Sequence, residues 1–592
     1  MDKRWMLRRC KVNTKELSRR TGISELLLSI LSNRGITAEK EINDFMNPNL
    51  NKLHDPILMK DMDVGTDIIY RAIKKNDRIV IYGDYDADGI TSTFILYSAL
   101  SRCGADVKYH IPDRVKEGYG ININSIEKLN SEGYNTIVTC DNGISAVDEI
   151  KRVKELGMTV VVTDHHDIPF LSKDENDRTF ILPSADAIIN PKQKECKYPF
   201  KMLCGAGVAF KFAQVLYRKM GIDETEAYKF IEYAAIGTIC DIVDLVGENR
   251  IITKIGIELL NKSKNPGIRA LIEENSLKMG NITAYHIGFV IGPCINAAGR
   301  LESAVLALKL FMAQDAETAA ALAKKLRNLN IERQDMTSQS LEKIIDKIEK
   351  SQLKKDKVLV VYEEDVHESI AGIVAGRLKE RYNLPSIVLT GGETMAKGSG
   401  RSIEEYNMYE ELTKCGSLME NFGGHKMAAG MSIREENIEK LRKQLNTNCN
   451  LSENDLIPKI RIDRRLPLES INFKIINDIK SLEPFGKGNS TPIFAEKNIE
   501  VFRIYFMGKD KNILKLFCRL RGSMEKMDAI SFDGGEKFKQ IINKNYGSNE
   551  LNKILTNNFR HIFMDFIFSP SINNYNGNTS IQLIIKDFRL SK

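Results

Sequence analysis

Four short stretches gather the side chains best suited to chemistry. Asp84, Asp86 and Asp88 alternate within GDYDADG, and Asp141 opens DNG. Asp164, His165 and His166 are consecutive, and Asp241 follows IEYAAIGTIC. A lone DxD or DNG is ordinarily turn chemistry, because Asp and Asn favour such conformations. Here each acidic group follows an apolar run, and two of only eight histidines are adjacent. Carboxylates crowded into one cleft repel each other unless cations sit among them. An oxygen-rich donor set with an imidazole suits Mn²⁺ or Mg²⁺ better than Zn²⁺. Two such ions roughly 3.5–4 Å apart generate a hydroxide and steady charge on attacking and leaving oxygens, the chemistry of phosphate-ester hydrolysis.

Those acids need a scaffold that brings them together. RIVIY (78–82), NTIVTC (135–140), MTVVVT (158–163) and AIIN (187–190) read as Val/Ile-rich strands. TSTFILYSALSRCG and SAVDEIKRVKELG read as intervening helices, the second ending at Gly157. Such alternation predicts an α/β fold with a parallel sheet covered on both faces. Ligands of open parallel sheets collect beyond the carboxyl ends of the strands, where these acids lie.

The 592 residues exceed one hydrophobic core and predict several domains. We expect a polar helical N-terminal extension over 1–70, the parallel-sheet domain over 71–250 and a helical connector over 251–352. Residues 314–350 lack Gly and Pro and predict a long charged helix bridging two domains. A smaller α/β domain follows over 353–452, with strands KVLVVY and PSIVLT flanking helix SIAGIVAGRLKERY. Over 453–592 the helical signal fades, and spaced strand-like runs predict a small antiparallel β-barrel.

The formal net charge of +7 permits a basic groove without requiring one. Ten cysteines without a CxxC argue against a zinc ribbon and suggest reduced, mostly buried thiols. MDKRWMLRRC lacks the apolar segment of a signal peptide, and no apolar run reaches membrane-spanning length. We therefore expect a cytoplasmic protein.

YGDYDADGITS, TCDNGIS, VTDHH and GTICDIVDL, in this order, resemble the four motifs of the DHH phosphoesterase superfamily. The tyrosine of the first motif resembles the RecJ-type exonuclease family. IPDRVKEGYG, IINP, CGAGVAFK, INAAGRL, KGSGRS, FGGHKMAAG and LEPFGKGN extend that resemblance over about 75–590. It implies that Asp86 and Asp88 each ligate one of two metals, Asp141 bridges them, and His165 and Asp241 complete one shell. Asp84 would complete the other shell or order its water, His166 would contact the scissile phosphate, and Asp164 would orient an imidazole. Asn296 and Arg300 would hold a substrate phosphate.

The second α/β domain resembles DHHA1. Gly423, Gly424 and Gly430, with His425 between them, would let a phosphate approach exposed amides, and Arg401 would add a charge-assisted contact. The barrel resembles an OB-fold. Lys515, Arg519 and Arg521, near Phe502 and Phe517, suit a flexible strand through phosphate attraction and base stacking. Val366 and Ile513 stand where the family usually carries Trp and His.

The resemblance implies a single-stranded-DNA-specific 5′→3′ exonuclease with two Mn²⁺ or Mg²⁺ ions, releasing 5′-mononucleotides in repair and recombination. It further implies a monomer working beside a helicase and a single-strand-binding protein. The alternative is a DHH phosphodiesterase or nanoRNase acting on short oligonucleotides. The appended barrel favours a polymer. A catalytically dead scaffold would lack several of the acids present here.

Overall fold

The computed structural model describes residues 3–591, apart from 115–116, 119, 172–178, 393, 521–525, 557, 559–560 and 576. It divides into two compact units, Asn49–Pro458 and Asp2–Pro48 with Lys459–Lys592.

In the larger unit, β1 (Arg78–Tyr82), β2 (Asp106–His110), β3 (Thr136–Cys140), β4 (Thr159–Thr163) and β5 (Ala187–Ile189) form a sheet in the order β2-β1-β3-β4-β5. Every pairing is parallel. β3 is wholly buried, and Val80, Val138 and Val161 are fully enclosed, as a sheet covered on both faces requires. Four of these strands match the runs expected from sequence; β2, the edge strand DVKYH, alternates too weakly to stand out. The strand order reverses direction between β1 and β3. That switch point opens a crevice at the carboxyl ends of the strands.

Helix α1 (Ala87–Arg102) follows β1. Helices α2 (Gly205–Met220), α3 (Ile231–Cys240) and α4 (Gly247–Leu260) pack beside it in the same apolar core. α5 (Gly292–Leu301) precedes α6 (Ala316–Glu349), the expected long helix. The Asp315 side chain accepts from Thr318 N at 2.8 Å and starts α6. Its 34 residues span about 50 Å. Ala323 and Leu326 near its start belong to the core of the parallel sheet, while Ile344 and Ile348 near its end belong to another core. One rigid element therefore carries two apolar faces that serve two domains.

That second domain contains β6 (Leu359–Tyr362), α7 (Glu368–Tyr382), β7 (Ser386–Thr390), β8 (Ala396–Arg401), β9 (Asn421–His425) and β10 (Ala428–Ile433). The sheet order is β9-β10-β8-β7-β6, with only β6 and β7 parallel.

In the smaller unit, β11 (Phe494–Met507), β12 (Ile513–Leu520), β13 (Met527–Ser531), β14 (Ile562–Tyr575) and β15 (Asn578–Leu590) close into a barrel through the β11–β14 pairing. Two expectations need correction here. The C-terminal region is not free of helices: Phe473–Lys480, Gly535–Tyr546 and Ser548–Leu555 are helical. They are short and amphipathic, burying Ile476, Phe538 and Ile554, so their pattern is lost among neighbouring strands. Nor is the N-terminal segment a separate polar extension. Leu28, Ile30, Leu31 and Phe45 lie in the barrel's core, and Arg4–Leu7 pairs in parallel with Lys459–Ile462.

All ten cysteines are free thiols and seven are buried. Among the described residues, no helix is long and apolar enough to cross a membrane.

Candidate metal and phosphate site

The three motif loops after β1, β3 and β4 meet at the switch point, and the end of α3 joins them. Asp86 caps α1: its Oδ1 accepts from Asp88 N at 2.9 Å and Gly89 N at 3.0 Å. The next carboxylate, Asp88, accepts from Gly205 N at 2.6 Å and Ala206 N at 2.9 Å. It therefore sits on the amino end of α2, where partial positive charge favours an anion. A Cβ at Gly205 would lie 2.7 Å from the Asp141 side chain, and one at Gly237 would lie 2.4 Å from Asp88 Oδ1. Only glycine admits such close approach. Asp141 itself has φ +62°, a left-handed conformation that turns its carboxylate into the crevice.

His165 Nε2 lies 3.0 Å from Asp141 Oδ1, 3.7 Å from Asp88 Oδ2 and 3.7 Å from Asp241 Oδ2. Three groups each place their ligand atoms within 4.8 Å of one another: Asp84, Asp86 and Asp141; Asp88, His165 and Asp241; and Asp141, His165 and His166. Asp84 Oδ1, Asp141 Oδ1 and His165 Nε2 are buried without a hydrogen-bond partner among the described residues. Leaving buried polar atoms unpaired is costly, so these atoms fit ligands of a cation. The donor set fits Mn²⁺ or Mg²⁺: mostly carboxylate oxygen, with imidazole nitrogen in a minority.

Charge crowding tells the same story. Burial, then Asp86, holds the Asp84 carboxyl well above the ordinary range. Burial, then Asp88 and the other acids, does the same to Asp141. Burial and Asp86 push Asp88 up to about 6, and burial and Asp88 push Asp241 up to about 7. Burial and the neighbouring His166 push His165 down to about 4, which leaves a neutral imidazole able to ligate.

His166 differs. Burial opposes its protonation, but Asp164 raises it to about 9. The Asp164 Oδ1 atom lies 2.8 Å from His166 Nδ1 and accepts from the His165 and His166 amides at 2.6 and 3.0 Å, while Oδ2 accepts from Ile144 N at 2.9 Å. Of the two rings, it is therefore His166 whose nitrogen Asp164 holds.

Beyond the acids lies a positive rim. Asn296 Oδ1 accepts from Ala87 N at 2.8 Å, tying α5 to the first motif. The Arg300 guanidinium donates to Ser369 O in the second domain. Burial, then Arg114 and Arg333, lowers Arg300 to about 10, and burial with Arg114 lowers Arg401. These cations crowd one another as the acids do. Arg114 lies 4.9 Å over the Tyr85 ring. The motif pattern of IPDRVKEGYG and GDYDADG gives Arg114 and Tyr85 no role by itself. Val115, Lys116 and Tyr119 of that segment lie outside the described residues.

Residues 78–238 match the DHH family N-terminal domain, 355–450 the DHHA1 domain and 462–587 the RecJ OB domain. The single-stranded-DNA-specific exonuclease RecJ of Bacillus subtilis is 36% identical, over 100% of this chain and 71% of its own. The chain belongs to the RecJ family. RecJ of Salmonella typhimurium is 30% identical over 95% of each chain. The crystal structure of Thermus thermophilus RecJ in complex with Mn²⁺ aligns with a TM-score of 0.81 at 25% identity, covering 100% of this chain and 80% of that one. A structure of exonuclease RecJ bound to manganese aligns at 0.57 and 31% identity, covering 67% and 96%.

In this RecJ-family chain the remaining expected contacts divide by environment. Gly423 pairs across the β9–β10 hairpin with Gly430, and a Cβ at either would meet open space. Gly424 has φ +144°, and a Cβ there would strike Ala428 O at 2.3 Å. Packing alone therefore explains Gly424 but not the bare strip at Gly423 and Gly430. His425 is exposed on β9; the carboxyl of Asp167, just past His166, is lowered chiefly by its hydrogen bond to Lys192, with a smaller contribution from His425. The Arg401 guanidinium donates to Ser399 Oγ at 3.1 Å and Gly400 O at 2.7 Å.

On the barrel, Lys515 pairs with Asp528 at 2.9 Å and lies 5.0 Å over Phe517. Arg519 pairs with Glu500 at 2.9 Å and lies 5.7 Å over Phe502. Arg521 lies outside the described residues. Val366 is buried in an apolar cluster, and Ile513, which opens β12, pairs with Met507 of β11.

Proposed function

We propose that this protein is a single-stranded-DNA-specific 5′→3′ exonuclease that hydrolyses phosphodiester bonds with two Mn²⁺ or Mg²⁺ ions and releases 5′-mononucleotides. The observation that carries this reading is the convergence of Asp84, Asp86, Asp88, Asp141, His165 and Asp241 with buried, unpartnered donor atoms. The relatives named single-stranded-DNA-specific exonucleases support the substrate, and the manganese-bound structures support the ion.

When bound, the two ions would acidify an attacking water and neutralise charge on the attacked phosphate. Asp86 and Asp88 would each hold one ion, Asp141 would serve both, His165 and Asp241 would complete the ligands of one, and Asp84 would complete those of the other or order its water. Asp164 keeps His166 protonated, so its ring donates to the scissile phosphate. Asn296, Arg300 and Arg401 hold a substrate phosphate, with Arg114 beside them. The bare backbone at Gly423 and Gly430, with His425, accommodates the strand, and Lys515 draws it to the barrel. Attack in line expels the 3′ oxygen of the terminal nucleotide and leaves a 5′-phosphate on the shortened strand.

In this reading the chain acts as a cytoplasmic monomer in repair and recombination, on strands opened by a helicase and covered by a single-strand-binding protein. A digest of 5′-labelled and 3′-labelled single strands with Mn²⁺, beside a duplex and a dinucleotide, tests it. Early release of the 5′ label from single strands alone is expected. Rapid cleavage of the dinucleotide with no action on longer strands would replace this reading with that of a nanoRNase.

A further inference from the structure

The segment between α3 and α5 carries a surface that the proposed chemistry does not use. Tyr285 and Phe289 are 63% and 70% exposed, and their rings stack at 4.9 Å between centroids and 26° between planes. His286 packs edge-on against Tyr285 at 5.9 Å. Exposed apolar side chains are common singly, and a stacked exposed pair is less ordinary. The backbone beneath is also unusual. Ile287–Ile291 forms a π-helical turn, a feature that often marks functional sites.

This turn leads directly to the site. It runs into α5, which bears Asn296 and Arg300. Phe289 precedes Asn296 by seven residues, about 10 Å along a helix axis at its usual rise. The turn also packs on the end of α3: Cys240 Sγ lies 4.0 Å from Ile287 O, and a Cβ at Gly288 would lie 3.4 Å from Ile239. Asp241 is the next residue, followed by Ile242, 65% exposed with φ +58°. The turn that carries the rings is thus continuous with the helix of Asn296 and packs on the residues just before Asp241.

We infer that Tyr285 and Phe289 form a stacking platform for bases of the single strand just outside the reacting phosphodiester. The inference rests on the single-strand reading above and names the contact that holds the not-yet-cut strand. Two near-parallel π-faces suit bases of any sequence, as a nuclease that degrades a strand regardless of sequence requires. Continuity with Asp241 and Asn296 makes DNA the occupant, in preference to a second copy of this chain.

The experiment compares wild type with Phe289→Ala, Phe289→Leu, Phe289→Trp and Tyr285→Ala on a 5′-phosphorylated 20-nucleotide oligothymidylate with Mn²⁺. Loss of one stacked base should raise KM about tenfold in the Ala variants. The change in kcat should be much smaller. Phe289→Trp should restore the wild-type KM and Phe289→Leu should not, because a flat ring rather than apolar bulk is needed. An unchanged KM in the Ala variants, or full rescue by Leu, would overturn the platform. So would a wild-type dimer in sedimentation that Phe289→Ala dissociates. If wild type itself fails to cut the strand, the exonuclease reading fails first. If wild type cuts and the Ala variants match it, the platform alone fails.

Discussion

The acid cluster and the outer face of the barrel are both rich in charge, yet they handle it in opposite ways. On the barrel, Lys515 faces Asp528, Arg519 faces Glu500 and Arg589 faces Asp565 at 2.9–3.1 Å. Each of these three cations has an acid partner and stays partly solvated, so water screens the pairs. At the switch point, acids meet acids. Among the described residues, Asp84, Asp141 and His165 keep buried atoms without a hydrogen-bond partner, and close-fitting glycines pack beside Asp84 and Asp141. Phosphate attraction needs only net charge in roughly the right place. Chemistry needs charge whose partner arrives from outside.

The sharpest way to break this contrast is to remove one member of the cluster. Asp141→Ala should lower single-strand hydrolysis by at least about a thousandfold, since the proposed bridge between both ions is lost. Circular dichroism should still report a folded chain. Asp141→Asn in chelator should melt no lower than wild type, because a repelling charge is gone; a markedly lower Tm would mean the acid is structural.

Next in size is the positive rim. Arg300→Ala should cut kcat/KM by about ten- to a hundredfold, as expected for a desolvated phosphate contact. Equal losses on 5′-phosphorylated and 5′-hydroxyl strands would show that it grips an internal phosphate.

The pH dependence sharpens the comparison further. Asp88 and Asp241 have carboxyls raised to about 6 and about 7 from an ordinary 3.8. The folded chain therefore binds these protons more tightly than the unfolded chain. Without cations, their effect on stability turns unfavourable as pH rises from about 4 to about 7. Cations bind the ionised form, so the Mn²⁺-induced rise in Tm should be larger at pH 8 than at pH 5. A shift independent of pH would contradict the crowding.

The smallest effect belongs to the barrel. Lys515→Ala should weaken oligonucleotide binding only about two- to fivefold, and the slope of log K against log salt should fall by about 1. A loss as large as that of Arg300→Ala would erase the distinction between the two regions.

Much of the site was legible because its acids follow strands that announce themselves. RIVIY, TIVTC and TVVVT are unmistakable buried strands, and in a parallel sheet their ends converge. Asp241 was legible from its place after an apolar helix. What could not be read was anything set by distant packing. Nothing in CGAGVAFK says that its amides receive Asp88, or that Arg114 joins Arg300 and Arg401 from a separate loop. The helices at 535–555 were missed because two or three amphipathic turns resemble interrupted strands. The apolar N-terminal stripe of Leu27, Leu28, Ile30 and Leu31 was visible, but its partner lies more than 400 residues away.

Counting bound Mn²⁺ by equilibrium dialysis tests the central claim most directly. The account predicts about two ions per wild-type chain and fewer than one in Asp141→Ala. A wild-type chain that binds none, or an Asp141→Ala variant that binds as many as wild type, would contradict it.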